Sequence, residues 1–391
     1  MKPIEIDMLA RFFPSPNKRS GESFSVVATR MAEAFNRIGT SVHALNISGA
    51  IWEQPAANKI RAPSRDMLGM LRSGLENRDH ANHICIVHGH PDNYYHQEAD
   101  RYSTRILMTV NESEPIPSEW AMKARNFSMI FVPSEYCRQV WERVATCPVR
   151  VVPHGVEAFM KPSPPGLQNM GQPAILYLRG EKDTFKFLNI FTVTSFPHRK
   201  GIDLLLRAWF EEFSTQDRAQ LIIRTESKKY LEDMCQEFAT EKGITPFLLD
   251  ENTHLSITDL CQLYNACDSY VSCHRGEAWA LDLSNAIACG MNTISTSFGG
   301  PMDYAPGYSR MVEVEKDLVA GICYNNEVGL YAEPSITDLR SAMREQYEAW
   351  KKKPEKSRAR AIHASDTFRE QWSWDNAARI AVGHIQEFLE G

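Results

Sequence analysis

A chain of 391 residues exceeds what one ordinary hydrophobic core holds, so two domains of similar size are expected. Hydrophobic residues make up 43% and charged residues 24%, the balance of a globular enzyme. The formal net charge of -6 argues against a dedicated nucleic-acid binder, and no apolar run is long enough to span a bilayer. The opening residues, MKPIEIDMLARFF, carry acids inside their apolar stretch and lack a small-residue cleavage site, so they do not read as a secretory signal. Nine cysteines, an odd number without a C-x-x-C pair, fit reduced thiols rather than disulfides or a zinc site. A cytoplasmic protein, or one lying peripherally at a membrane surface, is expected.

The first half alternates strand-like and helix-like segments. IEIDMLA reads as a strand, a polar loop follows over residues 15–22, and FSVVATRMAEAFNRIG has helical apolar spacing up to Gly39. SVHALNI, HICIVHG, RILMTV and SMIFVPS are further strands, separated by segments able to form helices. This rhythm predicts a parallel sheet covered by helices, with ligands at the carboxyl ends of the strands. The Pro- and Gly-rich run from Val149, VRVVPHGVEAFMKPSPPGLQNMGQP, breaks the rhythm and is the linker candidate.

The pattern then restarts. FKFLNIFTVTS, AQLIIRT, SYVSC and NTISTS read as strands, and GIDLLLRAWFEEFS, KKYLEDMCQEFATEKG, ITDLCQLYNAC and LDLSNAIACG as helices. Two Rossmann-like halves are expected, joined near residues 157–175 across a cleft. WDNAARIAVGHIQEFLEG closes the chain as an amphipathic helix returning toward the N-terminal domain.

Two turns in the second half carry chemistry. HRKGIDLLLRAW places Arg199 and Lys200 before Gly201 at a helix entrance, where backbone N–H groups and the helix dipole favour an anion. It is a phosphate seat or a solvated basic turn. CHRGEAWALDLSNAIACG places Glu277 after a short strand and before a helix, where an acid either faces a ligand or complements the helix dipole.

The blocks VPSEYCRQVWERVATCPVRVVPHGVE, RKGIDLLLRAWFEEF, LYNACDSYVSCHRGEAWALDLSNAIACG and STSFGGPMDY resemble, in order, those of the retaining glycosyltransferases of family 4. MTVNESEPIPSEW resembles a block of a bacterial branch of that family. The resemblance implies an α/β chain of the GT-B fold, two Rossmann-like domains facing across a cleft. Residues 1–165 would bind the acceptor, 166–372 the nucleotide-sugar donor, and 373–391 would form the returning helix. It implies a hexosyl- or pentosyltransferase of EC class 2.4 that moves a sugar from a UDP- or GDP-sugar to a hydroxyl acceptor, such as a glycan or lipid-linked one. Retention of configuration and independence of any metal or other cofactor follow from the same likeness.

Residue by residue, Lys200 matches the lysine that contacts the diphosphate and Glu277 the first acid of the E-x7-E motif, beside the transferred sugar. Gly299 and Gly300 match the glycine turn of the donor site. Arg199, Arg224 and Leu281 complete the expected donor set, and Lys200, Glu277 and His90 the catalytic set. There are departures. Asn285 stands at the second acid, Ala278 and Ala280 replace two glycines, and Asp282 replaces a proline. Thr194 and Ser195 stand near where the family often has an arginine, leaving Arg199 or Arg224 as the second cation.

The first half is expected to hold the acceptor through Gly21, Glu22, His88, His90 and Glu112. His88, His90 and His96 offer a chelating pattern, yet no third ligand or carboxylate has a matching spacing, so a polar pocket is expected and no metal. Tyr94, Tyr95 and Trp120 either stack on a sugar face or belong to the core. Two other readings stay open: a GT-B module binding nucleotide or glycan with little catalysis, and the same chemistry on a hydroxylated nucleic-acid base.

Overall fold

A computed structural model describes residues 3–12, 22–46, 69–70, 78–91, 96–163, 173–191, 197–225, 228–238, 243–250, 257–315, 318–322 and 328–391. It divides into two compact units, 1–155 with 372–391, and 156–371.

The first unit is built on six parallel strands: β1 (Glu5–Ala10), β2 (Ser41–Asn46), β3 (Ile84–His88), β4 (Thr104–Met108), β5 (Met129–Val132) and β6 (Val149–Val151), in the order β2-β1-β3-β4-β5-β6. β3 is buried along its whole length, as expected for a sheet covered on both faces. The five strands expected here are present. β6 lies inside the run taken for linker, because three residues at a sheet edge are too few to alternate. The helix Glu22–Arg37 packs against the closing helix Trp374–Glu390, and Arg37 bonds Asp375 at 2.7 Å.

The second unit repeats the plan. Its strands are β7 (Phe185–Phe191), β8 (Ala219–Thr225), β9 (Phe247–Asp250), β10 (Ser269–Ser272), β11 (Asn292–Thr296) and β12 (Arg310–Val312). They pair in parallel in the order β12-β11-β10-β7-β8-β9. The chain leaves β7 in the middle of this sheet, builds outward through β8 and β9, then crosses back to β10. That reversal of strand order opens a crevice at the carboxyl ends of β7 and β10. An antiparallel hairpin, β13 (Val319–Ile322) and β14 (Val328–Tyr331), follows, and no sequence pattern marks it.

The core of this unit is aromatic. Phe185, Phe187, Trp209, Phe213, Tyr347 and Trp350 are buried together, with Trp209 and Phe213 stacked at 4.7 Å between ring centroids. Residues 156–163 attach to the second unit: Ser163 donates its backbone N–H to the Asn265 side chain at 2.9 Å, and Cys289 reaches the Met160 sulfur at 3.9 Å. No helix among the described residues is long and apolar enough to cross a membrane.

Candidate functional site

The crevice of the second unit is closed by two turns locked to each other. The short helix Pro197–Lys200 runs into Gly201, with φ 67°, and then into the helix Ile202–Glu212. A Cβ on Gly201 would lie 1.9 Å from the Cys273 carbonyl oxygen, so only glycine lets this turn close on the end of β10. Two hydrogen bonds fix the approach. Arg275 donates its N–H to the Arg199 carbonyl at 2.7 Å, and the Arg199 guanidinium donates to the Gly276 carbonyl at 2.9 Å.

That lock brings Arg199, Lys200 and Glu277 together. The Lys200 ammonium and the Arg199 guanidinium both reach Glu277 Oε1, Arg199 at 3.0 Å. Glu277 is buried, which alone would push its carboxyl up, but Lys200, Arg199 and His274 hold it down to about 2. The carboxylate is ionised throughout the neutral range, and the two cations that meet on it place fixed positive charge at the turn.

Helix capping does not explain Glu277. The helix begins at Leu281, and the acid in its first turn is Asp282. Asp282 accepts a hydrogen bond from the Tyr264 hydroxyl at 2.9 Å. Burial raises the Asp282 carboxyl above its ordinary value, opposed by Lys200, the Tyr264 bond and Arg224. Its residue type is plain in the sequence, but its burial is not.

The supporting side chains are cross-braces. His274 lies between Ser272 Oγ, 3.0 Å from Nδ1, and the Phe298 carbonyl, 3.0 Å from Nε2. A carbonyl only accepts, so Nε2 carries the proton, and burial lowers the ring below its ordinary value. Arg275 is almost fully buried and forks onto two carboxylates, Asp203 at 2.8 Å and Glu333 at 2.6 Å. It thereby ties the loop to the helix Ile202–Glu212 and to the segment after β14. Nothing in local spacing signals these bonds, whose partners stand 72 and 58 residues away.

The glycine turn joins the same frame. Gly300 donates its N–H to the Glu277 carbonyl at 2.7 Å, and a Cβ there would stand 1.8 Å from the Ala278 oxygen. Ala280, at one of the replaced glycines, has φ 62°, the left-handed conformation that glycine adopts without strain. The substitution therefore leaves the glycine-type backbone in place.

A polar cavity of about 30 Å³, the share of one water molecule, is lined by Asn189, Lys200, His274, Glu277, Leu281 and Asp282 among others. Asn285 is half-buried on the same helix and Arg224 lies near the end of β8; neither lines this cavity. A larger hollow of about 730 Å³ lies along Glu212, Arg340 and Arg344. Its two arginines are ion-paired: Arg340 bonds Glu211 and Glu212, and Arg344 bonds Glu212 and Asp217.

In the first unit His88 ends β3, and His90 follows on the loop beyond it. The His90 ring stacks on Trp120 at 4.4 Å and meets Phe24 edge-on at 4.8 Å. Burial lowers His88 to about 4 and His90 to about 3, so both rings are neutral at physiological pH. Trp120 is 0% exposed, so of its two expected roles it takes that of core. Glu112 is half-buried on the loop after β4. Among the described residues, neither His88 nor His90 belongs to a group of three ligands within reach of one metal ion. Gly21, Tyr94, Tyr95, Thr194 and Ser195 lie outside the described residues, as do the side chains of Glu22 and His96.

Residues 181–319 match the family model described as glycosyl transferases group 1. Across the whole chain the fold is that of solved GT-B glycosyltransferases. Sucrose-phosphate synthase from Thermosynechococcus elongatus matches with a TM-score of 0.66 at 14% identity, covering 99% of this chain and 100% of that one. Trehalose 6-phosphate synthase from Burkholderia multivorans matches at 0.64 and 11%, covering 99% of each chain. Anabaena HepE in complex with UDP and glucose matches at 0.61 and 11%, covering 98% and 100%. No curated protein matches the chain in sequence. With this fold and the family match in its second unit, the chain is a glycosyltransferase of EC class 2.4.

Proposed function

We propose that the chain transfers a sugar from a UDP- or GDP-sugar to a hydroxyl acceptor, with retention of configuration and without a metal in the transfer, in the manner of family 4. The observation that carries this reading is the convergence of Arg199 and Lys200 on one buried carboxylate, Glu277, inside the matched segment. Breaking the bond between the sugar C1 and the diphosphate oxygen leaves the electron pair on the diphosphate. The two cations are preorganised for that growing charge, which is the work a divalent ion would otherwise do. Glu277 holds the cations in place before the donor arrives and lies beside the sugar when it binds. Leu281, Asn285, Arg224 and the Gly299–Gly300 turn complete the donor seat.

His88, His90, Glu112 and the segment around Gly21 and Glu22 form the acceptor side. A neutral His90, whose burial makes it a weak base, is suited to orient an attacking hydroxyl. The acceptor is a glycan, a lipid-linked sugar or another hydroxyl compound, and the net charge of -6 favours these over a nucleic-acid base. HepE is solved with UDP and glucose, and another structural neighbour, starch synthase IV from Arabidopsis thaliana, with ADP and acarbose; both support a nucleotide-linked donor here.

A thermal-shift panel of nucleotide-sugars, followed by hydrolysis of whichever donor binds, tests the reading. One donor is expected to raise Tm and to be hydrolysed slowly, at a rate indifferent to added Mg²⁺ or Mn²⁺. Binding without turnover on any acceptor would favour a module that only recognises nucleotide or glycan. Asn285→Glu is expected to shift the preferred donor while the fold persists.

A further inference from the structure

At the opposite end of the first sheet, away from His88 and His90, Glu5 and Asp7 share one face of β1 by strand alternation. Asp7 pairs in register with His43 on β2, and His83 immediately precedes β3. Asp7 is fully buried and engages both histidines: Oδ1 lies 2.9 Å from His43 Nδ1, and Oδ2 lies 3.1 Å from His83 Nδ1. The Tyr102 hydroxyl donates a third bond to Asp7 at 2.7 Å. The two imidazole rings stack nearly parallel, 15° apart with centroids at 5.5 Å. Both rings are thus held at Nδ1 by one carboxylate.

His83 Nε2 lies 3.1 Å from Glu5 Oε2, and ligand atoms of Glu5, His43 and His83 all fall within 4.8 Å of one another. Two carboxylates thus face His83, one at each ring nitrogen, and together with His43 they form a compact set of nitrogen and oxygen donors of the kind that binds a cation. A tetrahedral zinc ion with bonds of about 2.0 Å sets its ligand atoms about 3.3 Å apart, close to the observed contact. A carboxylate holding the far nitrogen of each histidine is also the second-shell arrangement that orients metal-binding imidazoles.

We infer that Glu5, His43 and His83 bind one divalent transition cation of the zinc type, with Asp7 as the orienting partner of both histidines. The Glu5 side chain is 40% exposed and the His43 side chain 20%, which gives the ion a route from solvent and a fourth position for water. The ion would tie β1, β2 and the entrance to β3 together. The placement, at the end of the sheet opposite the loop that carries His90, gives it a structural role in this unit.

The test uses the full chain without a histidine tag, titrated with Co²⁺ and then Zn²⁺. One Co²⁺ per chain is expected, with visible d–d bands, no sulfur-to-metal charge transfer, and displacement by Zn²⁺. Zinc should raise Tm, and EDTA should reverse the rise. His43→Gln and His83→Gln should weaken binding at least 100-fold, Glu5→Gln less, and Asp7→Asn about 10- to 100-fold. Circular dichroism of Glu5→Gln, a change at a half-exposed position, separates lost binding from lost fold. Failure to bind a stoichiometric ion overturns the inference, as does binding that survives both histidine changes. Charge-transfer bands of thiolate would also overturn it, by placing the ion at the Cys261–Cys289 pair, whose sulfurs lie 3.8 Å apart.

Discussion

The two candidate seats handle buried polarity in opposite ways. Around Glu277 the second unit buries charge and answers it: two cations meet the carboxylate, and Arg275 beside them forks onto Asp203 and Glu333. Around His90 the first unit buries imidazole among aromatic rings and keeps it neutral. A seat for a diphosphate needs fixed positive charge. A seat for a hydroxyl needs uncharged polar groups that orient it, and burial keeps these imidazoles uncharged.

Acidification should act most on the first unit, although the second also holds a buried histidine, His274, lowered in the same direction. His88, His90 and His154 are lowered by burial to about 4, 3 and 3, from an ordinary value of 6.5. A histidine depressed in the folded state leaves the unfolded chain binding more protons at low pH. Its stabilisation is complete above pH 6.5 and is lost as pH falls toward the folded value. Each of the three should cost about 1.4 kcal/mol per pH unit below 6.5. Glu277 has the opposite origin: its contribution is present above its unfolded value and is lost only as pH falls toward about 2. Hydrogen exchange at pH 7 and pH 5 should show protection falling further in residues 22–46 and 104–132 than in 202–225. Equal loss in both units would contradict the contrast.

Removing the charge of the donor seat should act on rate more than on fold. Lys200→Ala leaves Glu277 its bond to Arg199, so the chain should fold while donor turnover falls about 100- to 1,000-fold. Steady-state hydrolysis of the donor measures this. A change in KM alone would reduce Lys200 to a binding contact.

Smaller effects probe the frame. Gly300→Ala drives a Cβ into the Ala278 carbonyl and should cost about 1–3 kcal/mol of stability by denaturant titration. Ala280→Gly relieves a left-handed alanine and should gain about 1 kcal/mol, the smallest change of the set. A loss at Ala280→Gly would mean that the alanine methyl contributes more than its backbone strain costs.

The sequence revealed the parallel sheets because their strands are long apolar runs set between amphipathic helices. It left out β6, β9, β12 and the β13–β14 hairpin, which have three or four residues each and too few alternations to stand out. Lys200 and Glu277 stood out through ordered blocks resembling a known family. The bonds that hold them did not, since Arg275 meets partners 72 and 58 residues distant and His274 meets a backbone carbonyl. The sequence shows that alanine replaces glycine at 280 but not that Ala280 keeps the glycine-type φ. Glu5, His43 and His83 were silent for the same reason: three separate segments meet only once the sheet has formed.

The central claim is that Glu277 belongs to a sugar-transfer site rather than to a helix end. Donor hydrolysis by Glu277→Gln, measured beside the wild type and with circular dichroism on both, tests it most directly. An intact fold with turnover reduced at least about 100-fold is expected. Full turnover in the variant would contradict it.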